Sequence, residues 1–331
     1  MPDSQRRKPA TRKAATPKRL DQRSAPSSRY RLQKSIPDPQ SLIPALAPDE
    51  IARLKEQLEM AFAAQAEGPR PEARPFLKWV GGKSSLLPQL DELFPKEIDR
   101  YFEPFLGGGA VFFHLKHRSP RLRAYLRDSN RELINCYRVV RDRPVELMLL
   151  LDHHARLFRE EGADYFYAIR KQHDLTDDLA RAARTIFLNK TCFNGLWRVN
   201  AKGEFNTPVG SSKNPGLYDR DNLLACSLAL RDAQLEAEDF RQAVAEARRG
   251  DFIYFDPPYL PISAFSDFKR YTADQFREAD QIELAQAFRE LDAKGCRLAF
   301  SNSEHPRTRE LYAGFAMHVS VRHPATTWNK V

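Results

Sequence analysis

The chain has 331 residues, 42% of them hydrophobic and 29% charged, which is enough to bury a sizeable core; that length suits two domains of about 150 residues each, or one large domain with an insertion. No run of about 18 apolar residues occurs, which excludes a membrane-spanning helix of ordinary length. The four cysteines are scattered without a CxxC pair, which argues against structural zinc or a disulfide framework and for a reducing compartment, expected to be the cytoplasm. Lys plus Arg outnumber Asp plus Glu by 53 to 44, a net +9.

Eleven basic residues against three acidic ones in the first forty positions account for nearly all of that excess. Residues 1–45 are rich in Pro, Ser, Gln and Arg and poor in large apolar side chains, so a disordered basic tail is expected. It has no apolar core of a secretory signal. It is either a sequence-independent attraction to phosphates or a solvated tail. Across 46–70, Ile51, Leu54, Leu58 and Phe62 fall on one helical face, with Asp49 and Glu50 in the first turn. This predicts an appended amphipathic helix followed by a Gly/Pro-rich linker.

The globular body begins near residue 71. Gly82-Lys83-Ser84 looks like part of a phosphate loop, but that motif requires glycine where Leu77 stands, so a nucleotide-triphosphatase reading fails. A Gly-Gly turn remains, leading into a helix from about 84 to 93, with Lys83 beside its N-terminal amides. Tyr101 to Phe105 reads as a strand running into Gly107-Gly108-Gly109 and then a buried helix from Ala110. Strand, glycine turn and helix open a doubly wound α/β unit, in which glycine lets the backbone approach a ligand closely. A second strand near 122–126 ends at Asp128, where an acid suits ribose hydroxyls. Asp128 could instead cap the helix predicted from Arg131 to Val140, unless Ser129 or Asn130 does so.

Between 142 and 239 the pattern turns helical, at 144–158, 164–172 and 178–187, with Arg156, Arg159, Arg170, Lys171, Arg181 and Arg184 interleaved. A hairpin is predicted at about 197–208, with its turn at Ala201-Lys202-Gly203. Arg198, Asn200 and Lys202 offer donors suited to base edges and phosphates. Adjacent His153 and His154 point to different faces of a helix, so no metal site is expected there.

Asp251 to Phe255 is an apolar, aromatic central strand that runs into Asp256-Pro257-Pro258-Tyr259. Two prolines cannot continue it, so the chain turns outward. A carboxylate, rigid carbonyls and an aromatic ring are thus gathered at the strand's carboxyl end, where open α/β sheets bind ligands. An exocyclic amine on a nucleobase is a poor nucleophile, because its lone pair is delocalised into the ring. Asp256 and the Pro257 carbonyl, accepting its two N–H bonds, would draw that pair out of conjugation, and Tyr259 would stack on the base. A loop from 260 to 272 could close over the base. A helix from Ala273 to Ala293, a strand from Arg297 to Phe300 and a helix from Pro306 to Tyr312 then complete the alternation.

In this order the blocks Phe76 to Lys83, Phe102 to Gly109, Arg127 to Asn130, Asn194 to Pro208, Asp256 to Tyr259 and Phe300 to Asn302 resemble the alpha-group DNA adenine-N6 methyltransferases, the Dam-type or D12 class, over about residues 75–320. The resemblance implies a Rossmann-like S-adenosylmethionine-dependent methyltransferase fold with an inserted helical target-recognition domain, and no metal. It places the cofactor-binding part of the catalytic domain at 71–142, the recognition insertion at 143–239 and the rest of the catalytic domain at 240–331. S-adenosyl-L-methionine would meet Trp79, Lys83, Phe105, Gly107, Gly109, Asp128 and Asp256. Asp256, Pro257, Pro258 and Tyr259 would be catalytic, and Arg198, Asn200 and Lys202 would contact double-stranded DNA. Val199 and Lys202 stand where some relatives have an aromatic residue and an arginine, which leaves the recognition sequence open. The segment 319–331 departs from the family pattern, as a divergent or shortened end would. A monomer is expected, with a separate cognate restriction endonuclease as a possible companion. The rival readings are a methyltransferase acting on RNA or a protein amide and a degraded, non-enzymatic DNA-binding module. Asp rather than Asn at 256, together with the hairpin, favours DNA adenine.

Overall fold

The computed structural model describes residues 72–259 and 276–318, with Asp49, Ala52, Arg53, Glu56 and Met60 as isolated helical positions. The chain divides into two units, 1–36 and 37–331, and every described residue belongs to the second. The expected basic tail, most of the 46–70 segment, the 260–272 loop and the 319–331 end lie outside the described residues.

Among the described residues five strands form one all-parallel sheet: β1 (Arg100–Glu103), β2 (Arg123–Asp128), β3 (Gln234–Ala237), β4 (Phe252–Phe255) and β5 (Arg297–Phe300). Their order across the sheet is β3-β2-β1-β4-β5. The order reverses between β1 and β4, and a crevice opens beyond the carboxyl ends of strands at such a point. The register sets Tyr101 beside Phe252 and Phe102 beside Ile253, so Glu103 and Asp256 leave neighbouring strands at the same edge of the sheet.

Alternation along the strands sorts side chains onto two faces. Tyr101, Ala124, Leu126, Phe252 and Tyr254 join one core, with α1 (Leu87–Leu93), α2 (Ala110–Arg118), α3 (Arg131–Asp142), α4 (Pro144–Glu161), α5 (Ala163–Arg170), α6 (Asp178–Thr191) and α7 (Arg220–Leu230). Phe102, Ile253 and Phe255 join the other, against α8 (Phe240–Ala243), α9 (Glu278–Ala293) and α10 (Pro306–Leu311). Helix starts follow local chemistry. Asn130 caps α3 by accepting the Leu133 N–H at 3.1 Å, Asp177 caps α6 through Ala180 at 2.8 Å, and Pro144 opens α4, where its missing N–H costs nothing.

Several features differ from the sequence expectation. Helix α7 and strand β3 were not anticipated, and β3 lies inside the range assigned to the insertion while pairing with β2 in the central sheet. Helix α9 begins at Glu278 rather than Ala273, and Asp280 in its first turn accepts the Arg277 N–H at 2.7 Å. The stretch from Ser84 starts as a 3₁₀ turn, and the α-helix follows from Leu87. Helices α4 to α6, predicted as part of an insertion, share one continuous core with the sheet face beside them.

Candidate active site

The turn after β1 is shaped by its glycines. Gly107 and Gly109 have φ of +48° and +68°, the left-handed region in which a side chain is strained. A Cβ on Gly107 would lie 2.9 Å from the Trp79 ring, and one on Gly109 2.7 Å from the Tyr137 hydroxyl. That hydroxyl also donates to the Gly107 carbonyl at 3.0 Å. Trp79 and Tyr137 therefore form a cradle that only a glycine backbone fits.

Asp128, at the end of β2, accepts the N–H of Gly107 at 3.0 Å and of Asn130 at 2.9 Å. Because Asn130 is the cap of α3, Asp128 is not needed there and serves the glycine turn instead. Burial pushes its carboxyl up to about 6, against the opposing pull of those two backbone donors. Phe105 stacks on Phe240 with ring centroids 5.6 Å apart and meets the edge of Phe276 at 5.7 Å.

Beyond β4, Asp256 faces Lys83. The lysine is 3% exposed; its Nζ donates to the Gly81 carbonyl at 2.7 Å and forms an ion pair with Asp256 Oδ2. Tyr259 donates its hydroxyl to Asp256 Oδ1 at 3.3 Å, and its ring centroid lies 5.3 Å from Lys83 Nζ. Lys83, expected beside a cofactor, is thus gathered with Asp256 and Tyr259. Glu103, which sequence reasoning did not single out, lies beneath them: Tyr101 donates to its Oε2 at 2.9 Å. Burial raises its carboxyl well above the usual range, the Asp256 charge adds to this, and Tyr101 and Lys83 oppose it. Its position at the last residue of a strand, before Pro104, was the available signal.

The segment carrying Trp79 and Lys83 is tied to the base of the hairpin. Asn189 on α6 accepts the Lys78 N–H at 2.9 Å and donates to the Lys78 carbonyl at 2.8 Å. Trp79 also stacks on Trp197, with centroids 6.1 Å apart. The hairpin itself forms, with Val199 bridged to Phe205 and Gly203 at φ +80° in its turn. Arg198 Nε donates to Asn206 Oδ1 at 2.7 Å, which fixes the guanidinium's direction. Asn200 braces the hairpin: its oxygen accepts the N–H of Lys202 (2.9 Å) and Glu204 (3.0 Å), and its amide donates to the Glu204 carboxylate at 2.8 Å. Lys202 is exposed at the tip.

The interleaved arginines are largely engaged within the fold. Arg181 pairs with Glu132 and Asp178, Arg156 with Glu160, and buried Arg184 donates to the last carbonyls of α5 at 3.0 and 2.8 Å. His154 shares a 2.7 Å hydrogen bond with the Tyr165 hydroxyl, and burial pushes its imidazole down to about 3, so it is neutral at pH 7. Among the described residues no helix is long and apolar enough to cross a membrane.

A parallel, doubly wound sheet whose glycine turn and acid-tipped strands meet at the switch point is an α/β fold of the kind that receives ligands beyond the carboxyl ends of its strands. Residues 79–323 match the model of the D12 class N6 adenine-specific DNA methyltransferases. The chain is 42% identical over 252 residues to the type II methyltransferase M1.LlaDCHI of Lactococcus lactis subsp. cremoris, covering 74% of this chain and 86% of that one. It is 42% identical over 258 residues to the type II methyltransferase M.MjaIII of Methanocaldococcus jannaschii, covering 74% and 89%. Against a DNA adenine methylase of Serratia marcescens it is 35% identical over 252 residues, covering 74% and 89%. The chain belongs to the D12 class of N6 adenine-specific DNA methyltransferases, and it is a site-specific adenine-methylating enzyme.

Proposed function

We propose that the protein moves a methyl group from S-adenosyl-L-methionine to N6 of an adenine swung out of double-stranded DNA, at the crevice between β1 and β4. The observation that carries this reading is the meeting, at one sheet edge, of the glycine cradle after β1 and the Asp256 carboxylate after β4. What supports a nucleoside with a charged tail is the left-handed glycine turn, beside which backbone can approach a ligand closely, the Asp128 carboxylate next to it, which can accept from ribose hydroxyls, and the Phe105 ring nearby. When bound, the donor supplies a methyl group on a sulfonium, ready for direct attack.

The chain's own residues do the rest. Lys83 keeps Asp256 an acceptor of hydrogen bonds, and Asp256 and the Pro257 carbonyl accept hydrogen bonds from the two N6 N–H groups. Tyr259 holds the base by stacking. As the N–C bond forms, the C–S bond breaks with its electron pair left on the donor's sulfur, and the surplus N6 proton passes by way of the Asp256 carboxylate to water. Extrusion of the base is required because N6 is inaccessible to an in-line methyl within the duplex. The hairpin, with Arg198 oriented by Asn206 and Lys202 at its tip, reads the sequence, while Asn200 holds the turn. Action as a monomer in the cytoplasm is part of this reading. A type II system with a separate endonuclease is the setting that the names of the Lactococcus and Methanocaldococcus relatives suggest.

Tritium transfer from labelled donor to duplex DNA tests the reading, and single-molecule sequencing of DNA from expressing cells identifies base and context. Absence of N6-methyladenine in both would overturn it. Lys202→Ala is expected to broaden or shift the methylated context. An unchanged context and unchanged duplex affinity would remove the tip from recognition.

Asp128 gives a pH dependence. Its folded carboxyl titrates at about 6, and ribose hydroxyls need the ionised acceptor. Donor affinity is therefore expected to be full above that value and to weaken on acidification, approaching tenfold per pH unit well below it, as expected for roughly one linked proton. Titration calorimetry between pH 5 and 8 checks this (buffer range chosen around the value of about 6). In Asp128→Asn the acidic fall should vanish, with affinity low throughout.

A further inference from the structure

The two prolines after Asp256 create a tethering problem. Neither Pro257 nor Pro258 has an N–H, so this strap can be fixed through its backbone only by its carbonyls. The Pro258 carbonyl accepts the Nε2–H of Gln281 at 2.9 Å. Gln281 lies in the first turn of α9 and is 1% exposed. A buried amide is tolerated where both its polar atoms are paired, and Gln281 Oε1 accepts from Asn302 Nδ2 at 3.4 Å, just past β5. Asn302 Oδ1 in turn accepts the Ser303 N–H at 2.8 Å.

The direction of this chain is set at both ends by backbone chemistry. The Ser303 N–H can only donate, so Asn302 turns its oxygen toward it and its amide toward Gln281. Gln281 must then present its oxygen to Asn302 and its amide to Pro258, whose carbonyl can only accept. A flip of either side chain would set donor against donor. The relay thereby locks the peptide plane joining Pro258 to Tyr259, and with it the orientation of the residues on either side.

We propose that Gln281, oriented by Asn302, is a positioning residue for methyl transfer: it fixes the proline strap so that Asp256, the Pro257 carbonyl and the Tyr259 ring converge on the target amine. The inference rests on the assignment of those residues to the reacting site. Its signature is a chemical step slowed far more than ligand binding is weakened, because the relay touches neither the glycine turn nor the hairpin.

Single-turnover methyl transfer with saturating S-adenosyl-L-methionine and duplex DNA tests it. Gln281→Met keeps the shape and removes the donor; its rate constant is expected to fall roughly 10- to 100-fold, the scale of an ångström-sized misplacement. The reaction amplitude should stay near wild type and both dissociation constants should change far less than the rate constant, since the glycine turn and the hairpin are untouched. A merely structural role would instead lower the amplitude and leave the rate constant alone. Asn302→Ala should slow the step less, and the double variant should be no slower than Gln281→Met, because the two act in series. A wild-type rate constant in Gln281→Met overturns the proposal; should that variant fail to fold, a wild-type rate constant in Asn302→Ala does so. Additive losses overturn the relay. If the wild-type protein itself transfers no methyl to adenine, the reading of the site fails, which is a different result from active protein with indifferent variants.

Discussion

Asp256→Ala is expected to lower kcat for methyl transfer by roughly 10²–10³-fold or more, the cost of removing a preorganised electrostatic group at the reacting atoms, while duplex binding persists. The loss has two origins that can be separated. The carboxylate disappears from the target amine, and Lys83, 3% exposed, loses the partner of its ion pair. The stranded ammonium keeps the Gly81 carbonyl, so the fold should survive with a lowered melting temperature. Asp256→Asn distinguishes the two effects. Its amide oxygen still accepts from Lys83, so stability should be closer to wild type, but the neutral group polarises the target amine less and turnover should fall between the other two proteins. Full turnover in Asp256→Asn, measured at saturating DNA and donor, would show that the charge at this position plays no part in the reaction.

What could be read from the sequence was the part whose chemistry is local. Phe252 to Phe255 is an uninterrupted apolar run closed by two prolines, and it forms the central strand expected of it. Arg297–Phe300 appears with the expected bounds. Asp128 could be placed at a strand end because the strand before it and the capped helix after it both leave signatures within a few residues. The glycine turn was recognisable from its composition, although the reason for it was not: Trp79 and Tyr137, which forbid a Cβ there, lie about 30 residues away on either side.

The elements that escaped sequence reading had either no periodic signal or a distant partner. Helix α7 carries Leu223, Leu224, Ala225, Leu228, Ala229 and Leu230 around most of its circumference, so no single stripe marks it as a helix. Strand β3 is an edge strand of four residues with only Leu235 fully buried, too short for alternation to register. Asn189 and Gln281 look like ordinary helical polar residues. Their roles come from contacts with Lys78, 111 positions earlier, and with Pro258, 23 positions earlier. Asn200 also has a role in the turn that its residue type alone did not show: its oxygen accepts the Lys202 and Glu204 N–H groups, and one amide hydrogen goes to the Glu204 carboxylate.

The largest stability effect is expected from Asp251→Ala, at the end of the sheet opposite the reacting groups. Arg100 at the start of β1 and Asp251 just before β4 form an ion pair of 3.2 Å with both side chains no more than 7% exposed. The guanidinium lies 4.8 Å from the Tyr125 ring centroid and 5.2 Å from that of Phe102, and also donates to the Glu246 carbonyl at 3.3 Å. Asp251 in addition accepts the Arg248 N–H at 2.9 Å. Removing the carboxylate strands a cation among aromatic rings, and breaking a buried pair in this way costs about 3–5 kcal/mol. For a folded body of this size the melting temperature should drop by roughly 6–20 °C, at about 2–4 °C per kcal/mol. Replacing both partners, Arg100→Met with Asp251→Leu, should recover much of that loss, since the desolvation cost disappears with the charge. Methyl transfer by the fraction that remains folded at low temperature should be near wild type, because Asp256 and the glycine turn lie at the strands' other ends. A melting temperature in Asp251→Ala within a degree or two of wild type, about the effect of a single surface substitution, would mean that the cation finds water or another partner and that this pair does not hold β1 to β4.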